Sequence, residues 1–223
     1  DLLDRYGYFQ SVLFSRAWLT AWSRMNKIVV LSDVALDYYQ KLLPGDVSKL
    51  VKINIGRDVD MSHLPHDYKL LQEKVNKFKQ EGKIVVGTCC KVRHIKGLNQ
   101  MIEALIKDDS LIFFLVGYGP ELENLKKLAF NSGVDSRLLS IGRKKNAYHY
   151  MPLFDVYVMP SLSEGFPIAL LEAVALKNKV VCSDLAIFKE AFTENEITFF
   201  ILNDIDSLTN SIHSAYKNQS KSQ

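Results

Sequence analysis

Only three cysteines occur in the 223 residues, and their spacing fits neither a metal site nor a disulfide framework. Cys89 and Cys90 are neighbours inside an apolar run and Cys182 stands alone, so all three read as small core residues of a reducing compartment. No apolar run reaches the ~18–20 residues needed to span a bilayer. No secretory leader opens the chain at Asp1, and the expected location is the cytoplasm, or the inner face of the membrane. Charge of one sign is also scarce: 28 basic against 25 acidic side chains leave a net +3. That excess is too small to argue for a nucleic-acid partner, and no nucleic-acid motif accompanies it. Clusters of His, Cys, Asp and Glu with metal-ligand spacing are missing as well, so neither a metal nor another cofactor is expected.

What is present is a regular alternation of short apolar runs and longer amphipathic stretches. The runs 27–31, 50–53, 84–90, 111–116, 138–141, 156–159, 180–182 and 197–202 are rich in Val, Ile, Leu and Phe without strict alternation. Strands buried on both faces have this composition. Between them, segments 33–43, 97–106, 120–130, 167–176 and 204–216 carry helical periodicity. Strand and helix in turn imply βαβ units, hence an α/β, Rossmann-like doubly wound parallel sheet.

The rhythm breaks in NIGRDVDMSHLPHD, residues 54–67, whose Gly, Pro, Asn and Asp content marks a link. Six strand-like runs follow it and two precede it. Residues 1–55 are therefore expected to be the tail of an amino-terminal domain plus link, and residues 56–223 a complete carboxy-terminal domain. Within the first part, Arg5 to Lys27 interleaves aromatic and basic residues. It can be an interfacial helix in peripheral contact with a membrane, or a helix packed on its own domain; the second reading is preferred.

Three strand-to-helix turns carry candidate chemistry. In SLSEGFPIALLEA, residues 161–173, a strand empties through Pro160 into a turn and Pro167 opens a helix. Amides of Phe166, Ile168 and Ala169 at that helix start would favour an anion such as a phosphate. Glu164 in the turn and Glu172 on the second helical turn can accept hydrogen bonds from sugar hydroxyls, although glutamates near a helix start often serve only the dipole. The second turn, GTCCKVRHIKGL, places Lys91 and Lys96 around a loop on the same sheet edge, suited to neutralising a leaving diphosphate. In the third, Gly117 and Gly119 form a glycine turn lacking the third glycine of the dinucleotide fingerprint, which argues against a nicotinamide cofactor. It fits a ligand approaching the backbone better.

In order and spacing these segments resemble glycosyltransferase family 4, the retaining GT-B enzymes also called group 1 transferases. The resemblance runs from Lys27 to Tyr216 and is most specific in the two glutamates separated by seven residues around Gly165-Phe166. It implies a nucleotide-sugar donor and a glycan or lipid-linked acceptor, with the anomeric configuration retained and no metal required. By the same resemblance Glu164 would contact donor sugar hydroxyls and Glu172 the nucleotide ribose. Lys96 would bind the diphosphate with the amides of Phe166 and Ile168, beside Gly165 and Pro167. Arg143 and Lys144 would lie at the base. Lys91 stands where the family usually has Arg, keeping the charge but not the planar fork. Cell-surface polysaccharide synthesis is the implied setting. Two other expectations stand beside transfer: a non-catalytic nucleotide-sugar-binding half that needs a partner chain, and a nucleotide-sugar epimerase or hydrolase on the same fold.

Overall fold

A computed structural model describes residues 16–22, 24–42 and 47–218. The chain divides into two units, residues 1–55 and 56–223. In the first unit β1 (Ile28–Val30) pairs in parallel with β2 (Leu50–Lys52), with Val29 opposite Val51. The connecting helix α1 (Asp33–Leu42) begins where Ser32 Oγ accepts the Ala35 amide at 3.0 Å, a hydroxyl satisfying one of the free helix-start donors. Residues 16–22 are helical, and Trp22 meets Tyr39 of α1 edge to face at 4.8 Å while Trp18 is exposed. The rest of the aromatic, basic segment, residues 5–15 and 23, lies outside the described residues. No helix among the described residues is long and apolar enough to cross a membrane.

The second unit contains helix α2 (Tyr68–Gln80), then β3 (Ile84–Lys91), α3 (Asn99–Lys107), β4 (Leu111–Tyr118), α4 (Leu122–Asn131) and β5 (Leu138–Ser140). Its second half runs β6 (Val156–Met159), α5 (Ile168–Ala175), β7 (Val180–Ser183), α6 (Ala186–Ala191), β8 (Thr198–Phe200) and α7 (Ile205–Lys217). All six strands pair in parallel in the order β5-β4-β3-β6-β7-β8. Each of the eight apolar runs in the sequence contains a strand. The alternation did not reveal α2 or the six-residue α6; in α2 Tyr68, Leu71 and Val75 are buried, Phe78 packs partly against them, and Leu70 is exposed among polar residues.

Two apolar layers cover the sheet, sorted by the period of two along each strand. Val85, Ile112, Phe114, Tyr157 and Cys182 face one layer, completed by Leu71 and Val75 of α2, Leu170 of α5 and Phe188 of α6. Ile84, Val86, Phe113, Leu115, Val158 and Val181 face the other, with Met101 and Leu105 of α3, Leu125 of α4 and Leu208 of α7. Full burial of such side chains stabilises the fold by about 1.5–3 kcal/mol each. Polar anchors fix the register from outside. Asp155 accepts the Val85 amide at 2.8 Å and pairs with Lys79 at 2.8 Å, tying α2 to the start of β3 and β6.

Candidate functional site

Pairing between β3 and β6 is confined to Val86 with Val156 and Gly87 with Tyr157. Beyond these residues β3 continues to Lys91 and β6 to Met159, so their carboxyl ends part. The parting falls where the winding reverses: β4 and β5 fill one side of β3, while β7 and β8 extend from β6. In open α/β sheets such a switch point is where ligands bind. A cavity of about 240 Å³ opens there, lined among others by Thr88, Cys90, Lys91, Lys96, Glu164 and Phe166.

Two loops wall this cavity, and direct bonds join them. The Leu162 amide donates to Ile95 O at 2.8 Å. Buried Gln100 donates from Nε2 to Pro160 O at 2.9 Å and Gly97 O at 3.2 Å, and its Oε1 accepts the Asn203 amide at 3.0 Å. Gly97 closes the 3-10 turn His94–Lys96 with φ +59, and a Cβ there would lie 2.1 Å from Pro160 O. Only glycine meets both demands without strain. Ser183 Oγ donates to Ser161 O at 2.7 Å, fixing the second loop to β7.

These bonds bring Lys96 and Glu164 together at 2.5 Å, with their side chains 20% and 8% exposed. Ser161 Oγ donates to the same oxygen, Oε1, at 2.6 Å. Glu164 Oε2 has no protein partner among the described residues. Lys91 is exposed on the rim, its Nζ 6.0 Å from the centre of the Tyr118 ring, and Arg143 lies over that ring at 5.0 Å. Tyr118 thus carries two cations at the end of β4 in a cation–π arrangement; Lys91 lines the cavity, and Arg143 does not. Burial pushes the Cys90 thiol up to about 12, with Lys96 pulling it down and Glu164 up. A thiol held neutral in this way is a wall of the cavity and not a nucleophile.

Glu172 lies on the second turn of α5 with its side chain 12% exposed, and it accepts from Arg57 Nε at 2.8 Å. Burial above all, then Cys90 and the Glu172 charge, pushes up the Cys89 thiol; Glu172 itself does not line the cavity. At the start of α5 the Ile168 amide donates to Phe166 O at 3.0 Å, so it is not the open anion donor that the sequence suggests. The amides of Phe166 and Ala169 have no protein partner among the described residues. Gly165 is exposed in the turn, and Pro167 is buried in the cavity wall.

Of the other sequence candidates, Gly117 and Gly119 have a packing reason. A Cβ on either would lie 2.0 Å from the carbonyl oxygen of Cys90 or Val92 respectively, so the close approach they allow is to β3 and the residue that follows it. Lys144 is not brought to this cavity. It pairs with Asp67 and lines a second cavity of about 550 Å³. Two residues that sequence reasoning passed over are Arg57, read as part of the link, and Gln100. Nothing in the sequence connects Arg57 to Glu172, 115 positions away.

A six-stranded parallel sheet wound in this order, with a charged cleft at its switch point, has the architecture of one half of a GT-B fold. The family model for glycosyl transferases group 1 matches residues 71–223, and the chain belongs to that family. The O-antigen biosynthesis glycosyltransferase WclY of Escherichia coli is 30% identical over 208 residues, covering 91% of this chain and 56% of WclY. An Escherichia coli UDP-Gal:alpha-D-GlcNAc-diphosphoundecaprenol alpha-1,3-galactosyltransferase is 33% identical over 115 residues, covering 50% of this chain and 29% of its own length. Among solved structures, Anabaena Alr3699/HepE in complex with UDP-glucose superposes with a TM-score of 0.82 at 18% identity, covering all of this chain and 62% of HepE. The chain spans about half the length of WclY, 56% of it, or less of the other curated relative.

Proposed function

We propose that this chain is the donor-binding part of a retaining glycosyltransferase. The enzyme would move a sugar from a nucleotide-sugar donor to a glycan or lipid-linked acceptor during cell-surface polysaccharide synthesis. The observation that carries the reading is the Lys96–Glu164 pair, held across two loops at the switch point of the sheet. In this reading the donor diphosphate lies against Lys96, the Phe166 and Ala169 amides and Lys91 on the rim, with Arg143 toward the base. Negative charge that grows on the diphosphate as the glycosidic bond breaks is stabilised by donors already fixed in place. Glu164 turns its unpartnered Oε2 to the sugar hydroxyls, and Glu172 takes the ribose.

WclY and the galactosyltransferase support the transfer reaction and the polysaccharide setting, and the UDP-glucose named with HepE supports the donor class. Titration of the chain with UDP, GDP and ADP by calorimetry tests the proposal. Binding by one of them at millimolar concentration or below is expected, with the affinity lowered by Lys96→Ala. Binding by none of them overturns it.

A further inference from the structure

Arg57 is the second residue of the carboxy-terminal unit and reads in the sequence as part of a link. Its geometry is more specific than that. The guanidinium lies over the Tyr148 ring, with Cζ 5.7 Å from the centroid. From there Nε alone reaches Glu172, at 2.8 Å, and only Oε1 accepts it. Arginine often binds a carboxylate through two parallel donors and so engages both oxygens. Here a single donor holds one oxygen, and Oε2 keeps no protein partner among the described residues. The Glu172 side chain is largely buried, whereas that of Arg57 is 44% exposed. A buried carboxylate that loses its cation changes position or protonation state, because an uncompensated charge is costly there.

We infer that Arg57 is a positioning residue: its one-donor contact holds Glu172 so that the second carboxylate oxygen is presented to a vicinal diol, the ribose of a nucleoside diphosphate. The inference rests on the donor-binding reading above, in which Glu172 takes the ribose. It assigns Arg57 no contact with the phosphates. The variant Arg57→Ala therefore weakens binding through the diol alone, and Arg57→Lys, which keeps a cation with a single-donor reach, restores part of the loss.

The test uses whichever of UDP, GDP and ADP binds the unaltered chain most tightly, together with its 2′-deoxy and 3′-deoxy counterparts. Calorimetry gives the affinity ratio of ribo to deoxy ligand for the unaltered chain, Arg57→Ala, Arg57→Lys and Glu172→Gln. Expected is a loss of about tenfold for the ribo ligand in Arg57→Ala, the size of a hydrogen bond to a charged group, and little change for the deoxy ligands. The ribo-to-deoxy ratio then falls toward the ratio of Glu172→Gln, and Arg57→Lys recovers part of it. An equal loss for ribo and deoxy ligands overturns the inference in favour of direct phosphate contact. An unchanged ratio with only a lower melting temperature overturns it in favour of a structural anchor. In both cases the donor-binding reading stands, since the unaltered chain still binds. Failure of all three nucleotides to bind that chain removes both.

Discussion

Two cavities of the carboxy-terminal unit each contain a lysine, a carboxylate and a hydroxyl, and they use them differently. In the larger, Asp67 accepts Lys144 on Oδ2 and the Tyr150 hydroxyl on Oδ1 at 2.6 Å, so both oxygens are taken. In the smaller, Lys96 and Ser161 converge on Oε1 of Glu164 and leave Oε2 unpartnered. Asp67 stands at the start of α2, where its partners fasten the helix to the turn that follows β5. Glu164 stands on a loop past the end of a strand. Volume would select the first cavity, about 550 Å³ against about 240 Å³. The state of the carboxylate oxygens and the position on the sheet select the second. A saturated ion pair fastens structure; one with an oxygen in reserve can take a ligand.

The sharpest way to break this contrast is a matched pair of lysine variants. Lys96→Ala is expected to weaken nucleoside diphosphate binding roughly 10- to 100-fold, the range for a hydrogen bond to a charged group. Lys144→Ala should change that affinity by less than about twofold, because its ion pair lies in the other cavity. Titration calorimetry on both variants checks this, and equal losses would erase the distinction between the cavities.

A second pair compares glycines with left-handed backbone. Gly142, with φ +71 and open space at its Cβ position, precedes the turn bearing Lys144. Gly97, with φ +59, is pressed on Pro160 O. Gly142→Ala should cost about 1–2 kcal/mol, the left-handed penalty alone. Gly97→Ala should cost more, and it should also weaken nucleotide binding as the two loops separate. Urea denaturation alongside titration separates the two effects; equal stability losses would deny the loop contact its role.

The smallest effect concerns acid. Burial raises the Asp67 carboxyl, but hydrogen bonds from Lys144 and Tyr150 and the Lys144 charge outweigh it, so Asp67 is held below its ordinary 3.8. With a depressed folded value, its contribution is present above pH 3.8 and is lost as the pH falls through the folded value. The melting temperature of Asp67→Asn should therefore lie below that of the unaltered chain at pH 6, and the gap should narrow below about pH 3.8, the unfolded carboxyl value. A gap independent of pH would mean that Asp67 acts by shape and not by charge.

Much of the fold was legible because its strands are buried on both faces and so stand out as apolar runs; β4 is nearly continuous in Leu, Ile, Phe and Val, and β3 opens on Ile-Val-Val. Helices α2 and α6 were not: α2 carries a helical stripe of Tyr68, Leu71 and Val75 but follows directly on the polar link, and α6 is only six residues long. At the site, Lys91, Lys96, Glu164 and the start of α5 could be placed on one sheet edge from strand-to-helix turns alone. Their pairing could not, because a sequence shows which charges share an edge and not which of them touch. The Ile168 amide was misjudged for a local reason. Pro167 sits at φ −87 and ψ 66, outside the helix, and this bends the Ile168 amide onto Phe166 O. Arg57 was hidden by its surroundings, a Gly- and Asp-rich stretch in which a lone arginine looks like solvent-facing charge.

The contact of Lys96 with Glu164 also bears on turnover. When a bound diphosphate leaves the donor site proposed here, the ammonium it abandons is not stripped bare in a half-buried cleft. A carboxylate stands 2.5 Å away as a resident counter-ion, and the lysine passes from one anion to another. Release then exchanges partners instead of exposing a charge, which lowers the barrier to losing a tightly held product. Substituting Glu164 would on this account slow the dissociation of product, from a lysine with nowhere else to go.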